Sequence, residues 1–374
     1  MTVDGHESSP PQASGAEPDA AAPPGLPHPL AVPVVPNPAD RRLTPETIAA
    51  IQRGVPESTR NAYSGDWQRF TTWCGREGRT ALPATPETVA EYATHLTWKE
   101  GKAISTVDRA LSSIRVRHAA AGLAKPDLTG ARKVLTGYAD HLARIGDPRA
   151  QPRRAAAADL PSLRAMLTAM DRTTLVGKRN AALLLLGFIT AARESELIAV
   201  DLEHITMHPK GMEVRLYRGK KKQLQQLAVK SGTQGTETCP VHAYREWVQA
   251  LAAHGRTSGP VFVRIDQHGN LGVTMTRHGR PIGDPAGRLS VRAVDGIIAG
   301  AARAAGLTPK ETEVLLPRWS GHSLRRGFAT SARRAGGDLL KIGRTGGWAD
   351  GSKSLLGYIE EADRWDDSPL DRML

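Results

Sequence analysis

The stretch GHSLRRGFAT, residues 321–330, sets a histidine and two arginines within one helical turn and then becomes apolar. At about 100° per residue, His322, Arg325, Arg326, Thr330 and Arg333 are expected on one side of a helix. Leu324, Phe328, Ala332 and Ala335 are expected on the opposite side, facing a core. A proton carrier beside permanent cations suits one kind of chemistry, holding an anion while a proton moves. Guanidinium groups stay charged and grip oxyanions through planar, two-pronged hydrogen bonds, and imidazole titrates near neutrality.

Elements must carry these residues. From about 44 to 145 the pattern is helical. Thr44-Pro45-Glu46 and Thr85-Pro86-Glu87 each offer an N-cap threonine, a proline at the first helical position and an acid in the first turn. STRNAYSGDWQRFTTWC (58–74) puts Tyr63, Trp67, Phe70 and Cys74 on one apolar stripe. STVDRALSSIRVRHAAAG (105–122) does the same with Val107, Leu111, Ile114 and His118, leaving Arg109, Arg115 and Arg117 elsewhere on the helix. Four or five helices and no strand of consequence are expected there. IGDPRAQPRRAAAA (145–158) reads as a connector, whose three arginines, Arg149, Arg153 and Arg154, are expected to rest on phosphates.

Beyond it, NAALLLLGFITAARESELIAV (180–200) predicts a buried helix, a sharp break and a new helix from Ser195. GMEVRLYRGKKKQLQQLAV (211–229) predicts a β-hairpin with a lysine-rich tip, and a second hairpin is expected from Val261 to Ile282, its strands parting around His268-Gly269-Asn270. Helices resume over 291–306, through the opening stretch and over 352–362. The fold class is mainly α with small β-hairpins (α+β). The organisation is a tail over 1–43, a helical domain over 44–145, a linker over 146–158 and a second domain over 159–374.

Composition narrows the function. The chain has 374 residues and a formal net charge of +12. Residues 1–40 hold five acids and no lysine or arginine, so the positive charge is concentrated in the remainder. Such an excess suits a polyanionic partner. Ten of the 26 prolines fall in the first 38 residues and the first aromatic is Tyr63, which predicts a disordered tail. The longest apolar run, Ala181 to Ala192, is shorter than the ~20 residues of a membrane span. The start lacks a signal-peptide pattern, so a cytoplasmic location is expected. Cys74 and Cys239 make no disulfide framework. The C-x-x-H spacing of Cys239 and His242 is read as turn and helix packing, not as metal ligation.

Four pieces then stand in order: Arg193 with Glu196 in ARESEL, Lys220 in RGKKKQ, His322 and Arg325 in HSLRR, and Trp348 with Tyr358 in GGWADGSKSLLGYIE. Singly, each has a plain structural reading: a surface ion pair worth at most about 1 kcal/mol, a solvated turn, a capping histidine, a core tyrosine. In this order and spacing they resemble the tyrosine site-specific recombinases, the phage-type integrases, from about residue 50 to the end. The resemblance implies a two-domain DNA clamp, a helical (SAM-like) core-binding domain followed by a catalytic domain. Arg193 and Arg325 match the phosphate-clamping arginines, and Tyr358 matches the nucleophile that forms a 3′-phosphotyrosyl bond. Lys220, or else Lys221 or Lys222, matches the acid for the departing 5′-oxygen. His322 assists by proton transfer or hydrogen bonding, Glu196 buttresses the site, and Trp348 donates its indole N–H to a phosphate oxygen.

By the same resemblance no cofactor, metal or ATP is needed. The partners are double-stranded DNA, a homotetramer on synapsed sites and an accessory DNA-bending protein, with no membrane. The role is integration or excision of a mobile element. Arg109, Arg115, Arg117, Arg153, Arg154 and Arg326 are candidate DNA contacts. The tail EADRWDDSPLDRML, with Trp365, Leu370 and Leu374, is expected to dock on a neighbouring protomer. Two departures stand out: Trp348 and Tyr358 are ten apart, one more than the family spacing, and TAAR precedes the first helix turn where glycine is common. The rival readings are a non-catalytic architectural DNA-binding protein on the same scaffold and a type IB topoisomerase.

Overall fold

Thr44 and Thr85 cap their helices as the sequence predicts, each hydroxyl accepting the backbone N–H three residues on at 3.2 Å. In the computed structural model, which describes residues 42–151, 154–232, 237–272, 274–307 and 318–363, five α-helices precede the connector. They are α1 (Pro45–Gly54), α2 (Glu57–Arg76), α3 (Pro86–Thr94), α4 (Ile104–Ala120) and α5 (Thr129–Arg144), with a π-helical turn at His95–Lys99 after α3. The tail over 1–41, Arg153 and the segment carrying Trp365, Leu370 and Leu374 lie outside the described residues.

The apolar stripes form a first core. Phe70, Trp73, Cys74, Val89, Tyr92, Val107, Leu111 and Ile114 are buried together, with Trp67 partly buried against them. His118 sits fully buried on that stripe. Its Nε2 accepts the Ala84 N–H at 2.8 Å, so the ring proton is on Nδ1, which donates to the Ile114 carbonyl at 2.8 Å. A histidine on an apolar face is here a satisfied core residue.

A second core runs from Ala158 to Ile359. It is built by α6 (Leu160–Thr168), α7 (Leu175–Ile189), α8 (Glu194–Ile198), α9 (Pro240–Ala253), α10 (Val291–Ala304), α11 (Gly321–Arg334), α12 (Leu339–Gly346) and α13 (Lys353–Asp363). An antiparallel meander of β1 (Ile205–His208), β2 (Gly211–Arg218) and β3 (Gln223–Lys230) lies against it. The β2–β3 register pairs Arg218 with Gln223, leaving Gly219 to Lys222 as the tip. Among the described residues no helix is long and apolar enough to cross a membrane.

The structure alters three expectations. The C-terminal part of the connector is stitched into the second core: Ala156 N–H donates to the Arg318 carbonyl at 3.0 Å, Ala158 N–H donates to the Ser323 carbonyl at 2.9 Å, and Ala158 is fully buried. The hairpin expected over 261–282 is reduced to isolated bridges, Val263 with Arg288 and Ile265 with Leu271, followed by two short strands, β4 (Met275–Arg277) and β5 (Arg280–Ile282). Asp266 takes the N–H groups of His268 and Asn270, both at 2.8 Å, and those donors are lost to any ladder.

Third, α11 is not amphipathic in the way its sequence suggests. Arg325, Arg326 and Thr330 are buried along with Leu324, Phe328 and Ala329, Arg333 pairs with Asp363, and Ala335 is exposed. The reason is that α11 packs against α6, α7, α10, α12 and α13 at once. Both of its polar and apolar sides therefore face protein.

Candidate active site

The break after α7 begins the site. Ala191 adopts φ +46°, a left-handed conformation that costs an L-residue roughly 1–2 kcal/mol. The turn aims the Ala191 carbonyl at Arg325, whose Nη1 donates to it and to the Gly346 carbonyl. Two residues later Arg193 precedes α8. Its N–H donates to Glu196 Oε2 at 3.0 Å, and its Nη1 donates to Glu196 Oε1 at 2.6 Å.

Glu196 has a second cation, Arg218, at the end of β2. Met212, Val214, Leu216 and Arg218 share the inward parity of the strand, and the arginine is only 1% exposed. Its Nη1 donates to Glu196 Oε2 at 2.9 Å, Nη2 donates to the carbonyls of Thr190 (2.9 Å) and Thr345 (2.8 Å), and Nε donates to Gln225 Oε1 at 2.7 Å. Gly347, left-handed at φ +66°, packs on this side chain. Burial pushes the Glu196 carboxyl up, but hydrogen bonds from the Arg193 backbone and from both guanidinium groups outweigh it and leave it below the usual carboxylate range. Burial pulls Arg218 down, partly countered by Glu196.

Arg325 is the cation of this cluster held without a carboxylate. It lies 3.6 Å over the Trp348 ring and is buried, and its Nη2 has no hydrogen-bond partner among the described residues. Burial, then the like charge of Arg193, pulls the guanidinium down to about 9, so it is charged at neutral pH. Trp348 is buried and meets Tyr358 edge-on at 6.2 Å between ring centroids. Tyr358 is half-buried on α13, which is tied to the connector where Arg154 Nη1 donates to the Gly357 carbonyl at 3.3 Å.

His322 opens α11. Its Nδ1 lies 2.8 Å from Oε1 of Glu194, the first residue of α8. The Glu194 hydrogen bond raises the imidazole above its ordinary value, against the effects of burial and of Arg325 and Arg193. Arg193, Arg325, His322, Trp348 and Tyr358 are thus gathered around one spot. Such a cluster can hold a phosphodiester between two guanidinium groups beside a tyrosine hydroxyl.

Not every sequence-derived residue falls there. Lys220 is exposed at the hairpin tip, and it is Lys221 whose Nζ donates to the Trp348 carbonyl at 2.9 Å. Trp348 presents its ring to Arg325, a role its indole N–H did not forecast. Arg326 is buried: its Nη1 donates to the Ala155 carbonyl and its guanidinium lies 6.0 Å from the Tyr358 ring, so it packs inside the protein behind the tyrosine. Arg109 is engaged by Asp66 across α2 and α4, Nε to Oδ2 at 2.7 Å. Arg115 and Arg117 are exposed on α4.

Sequence reasoning missed Arg218 and Glu194. Arg218 was signalled by strand parity, since it continues the alternation of Val214 and Leu216. Glu194 carried no signal beyond its place next to Arg193. Cys239 precedes α9 and its Sγ accepts the Gly232 N–H at 3.3 Å. Among the described residues no group of three or more His, Cys, Asp or Glu is placed to hold a metal ion.

Comparison with known proteins agrees with this geometry. Residues 161–364 match the phage integrase family. The chain is 30% identical over 337 residues to an integrase/recombinase XerD homolog of Selenomonas ruminantium, covering 89% of this chain and 90% of that one. It is 24% identical over 296 residues to the recombinase Cre of Escherichia phage P1, covering 79% and 81%. Among solved structures, XerH in a post-cleavage complex with palindromic difH substrate superposes with a TM-score of 0.52 at 13% identity, covering 84% of this chain and 78% of that one. A lambda integrase dimer bound to a COC′ core site gives 0.52 at 14% identity, covering 86% and 77%. The chain belongs to the phage integrase family: it has the tyrosine recombinase fold and is a tyrosine site-specific recombinase.

Proposed function

We propose that this recombinase cleaves and rejoins double-stranded DNA through a 3′-phosphotyrosyl intermediate. The observation that carries the reading is Arg325, a buried guanidinium stacked on Trp348, with Nη2 unpartnered among the described residues, beside Arg193 and Tyr358. A buried cation of this kind is satisfied by an anion that binds between it and Arg193. With the phosphodiester there, Tyr358 Oη attacks phosphorus and its phenol proton leaves to water at the half-exposed site. The P–O5′ bond breaks, and the departing 5′-oxygen takes a proton from the hairpin, with Lys221 the lysine that reaches the site. Charge building on the non-bridging oxygens meets both guanidinium groups. Rejoining runs in reverse when a 5′-hydroxyl attacks the phosphotyrosyl bond, and no net bond energy is lost.

The helical domain over 44–145 and the catalytic domain clamp opposite faces of the duplex, with the exposed Arg115 and Arg117 on phosphates. The lambda integrase dimer on one core site supports two protomers per site, so exchange between two duplexes engages four. Service to a mobile element, by integration or excision, is proposed from the family resemblance of the site residues, and one relative, the recombinase Cre, is itself a phage protein.

Covalent trapping tests the reading. Wild type and Tyr358→Phe are incubated with nicked fragments from around the gene in EDTA and stopped with SDS. An adduct in the wild type and none in Tyr358→Phe is the expected result. An adduct that persists in the variant removes Tyr358 as nucleophile, and DNA binding without any adduct favours an architectural protein.

A further inference from the structure

We infer that Glu194 is a positioning residue for strand cleavage, its carboxylate holding the His322 ring through Nδ1 so that Nε2 donates to the phosphate only as the imidazolium. The inference rests on the reading that Arg193 and Arg325 hold the scissile phosphate.

ARESEL contains two glutamates with opposite assignments. Glu196 turns toward Arg193 and Arg218, while Glu194 crosses to the start of α11. The acid is buried, whereas the His322 side chain is 55% exposed, so a fixed carboxylate presents a reachable ring. Gly321 permits the approach: a Cβ there would overlap Glu194 Cγ. The carboxylate accepts from the imidazole and from backbone N–H groups of Glu194 and His322, and these together outweigh the effect of burial and keep it ionised below the usual range.

The imidazole has an acceptor at Nδ1 and its other nitrogen turned away from Glu194. Held so, neutral His322 carries its proton on Nδ1 and offers a lone pair at Nε2, which repels a phosphate oxygen. The imidazolium offers an N–H instead, a third donor beside the two arginines. The charged groups around it oppose one another. Arg193, Arg325 on the same helix and the N-terminus of α11 disfavour the imidazolium, while Glu194 favours it, and Asp295 of α10 takes the Gly321 N–H at 2.9 Å. Glu194 prevails, since the imidazole lies above its ordinary value.

The sign follows. A group whose protonated form is the active donor loses its contribution as pH rises through its pKa. Removing the Glu194 charge therefore moves that loss to lower pH. Single-turnover cleavage of nicked DNA by the full chain, wild type and Glu194→Gln, is followed across pH. His322 is titrated in parallel by NMR with labelled histidine, its signal assigned with His322→Gln.

Glu194→Gln is expected to lower the His322 midpoint and to shift the alkaline fall in rate with it. The variant should be roughly tenfold slower above neutrality and close to wild type at about pH 6. In a His322→Gln background the same change should cost less than about twofold, because the two residues act as one unit. An unmoved midpoint, an equal loss at every pH, or full additivity would overturn the inference. Absence of any wild-type adduct sinks the phosphotyrosyl reading instead, and the NMR titration still decides whether Glu194 controls the ring.

Discussion

Two buried carboxylates in this molecule are each flanked by two arginines, and they are used differently. In the helical domain Asp66 on α2 takes Arg69 at 3.1 Å and Arg109 at 2.7 Å, and both guanidinium groups remain in reach of water, Arg109 being 42% exposed. In the catalytic domain Glu196 takes Arg193 at 2.6 Å and Arg218 at 2.9 Å, but Arg218 is enclosed and its remaining donors go to Thr190, Thr345 and Gln225. Solvent decides the outcome. Where the arginines stay wet, the pair ties two helices together. Where one is dry, it joins the end of α7, β2 and the last turn of α12, and through the shared carboxylate it fixes Arg193 beside it.

The comparison breaks most sharply at Arg218. Arg218→Met should lower stability by about 3–5 kcal/mol in urea unfolding, because Glu196 stays buried with half its compensation and the Thr190 and Thr345 carbonyls each lose a donor. Arg109→Ala should cost only about 1 kcal/mol, since Asp66 retains Arg69 and the exposed pair is screened. Equal losses at the two positions would mean that burial does not separate them.

A smaller test addresses the turn that aims a carbonyl at Arg325. Ala191→Gly relieves the left-handed strain but adds unfolded-state freedom, for a net gain of about 0.5 kcal/mol, read as a small rise in Tm. A fall in Tm would show that Ala191 does not sit in that conformation in solution.

Much of the fold was legible without coordinates. The Thr-Pro-Glu caps, the Trp67 to Cys74 part of the first stripe, the helix expected over 291–306 and the basic-tipped hairpin all follow from local pattern, because capping and periodicity act over a few residues, whereas Tyr63 at the head of that stripe stays outside the core. The second hairpin did not, since Asp266 competes locally for the backbone donors that a ladder requires. The left-handed position at Ala191 was marked only as a place where glycine is common.

For the site, the residue types and their order in the chain were set by sequence: Arg193, Glu196, the lysine triplet, His322, Arg325, Trp348 and Tyr358 need no structure to be singled out. Tertiary structure alone decided which cations are satisfied inside the protein and which keep a donor unpartnered among the described residues. Arg326 and Arg325 are adjacent and chemically identical, yet one donates to the Ala155 carbonyl and braces Tyr358 while the other stacks on Trp348 with Nη2 unpartnered. Glu194 and Glu196 are two apart and turn to opposite partners. Those assignments depend on which distant elements pack against α8 and α11. The desolvation that separates a structural arginine from one proposed to bind substrate is a property of that packing, which no local spacing encodes.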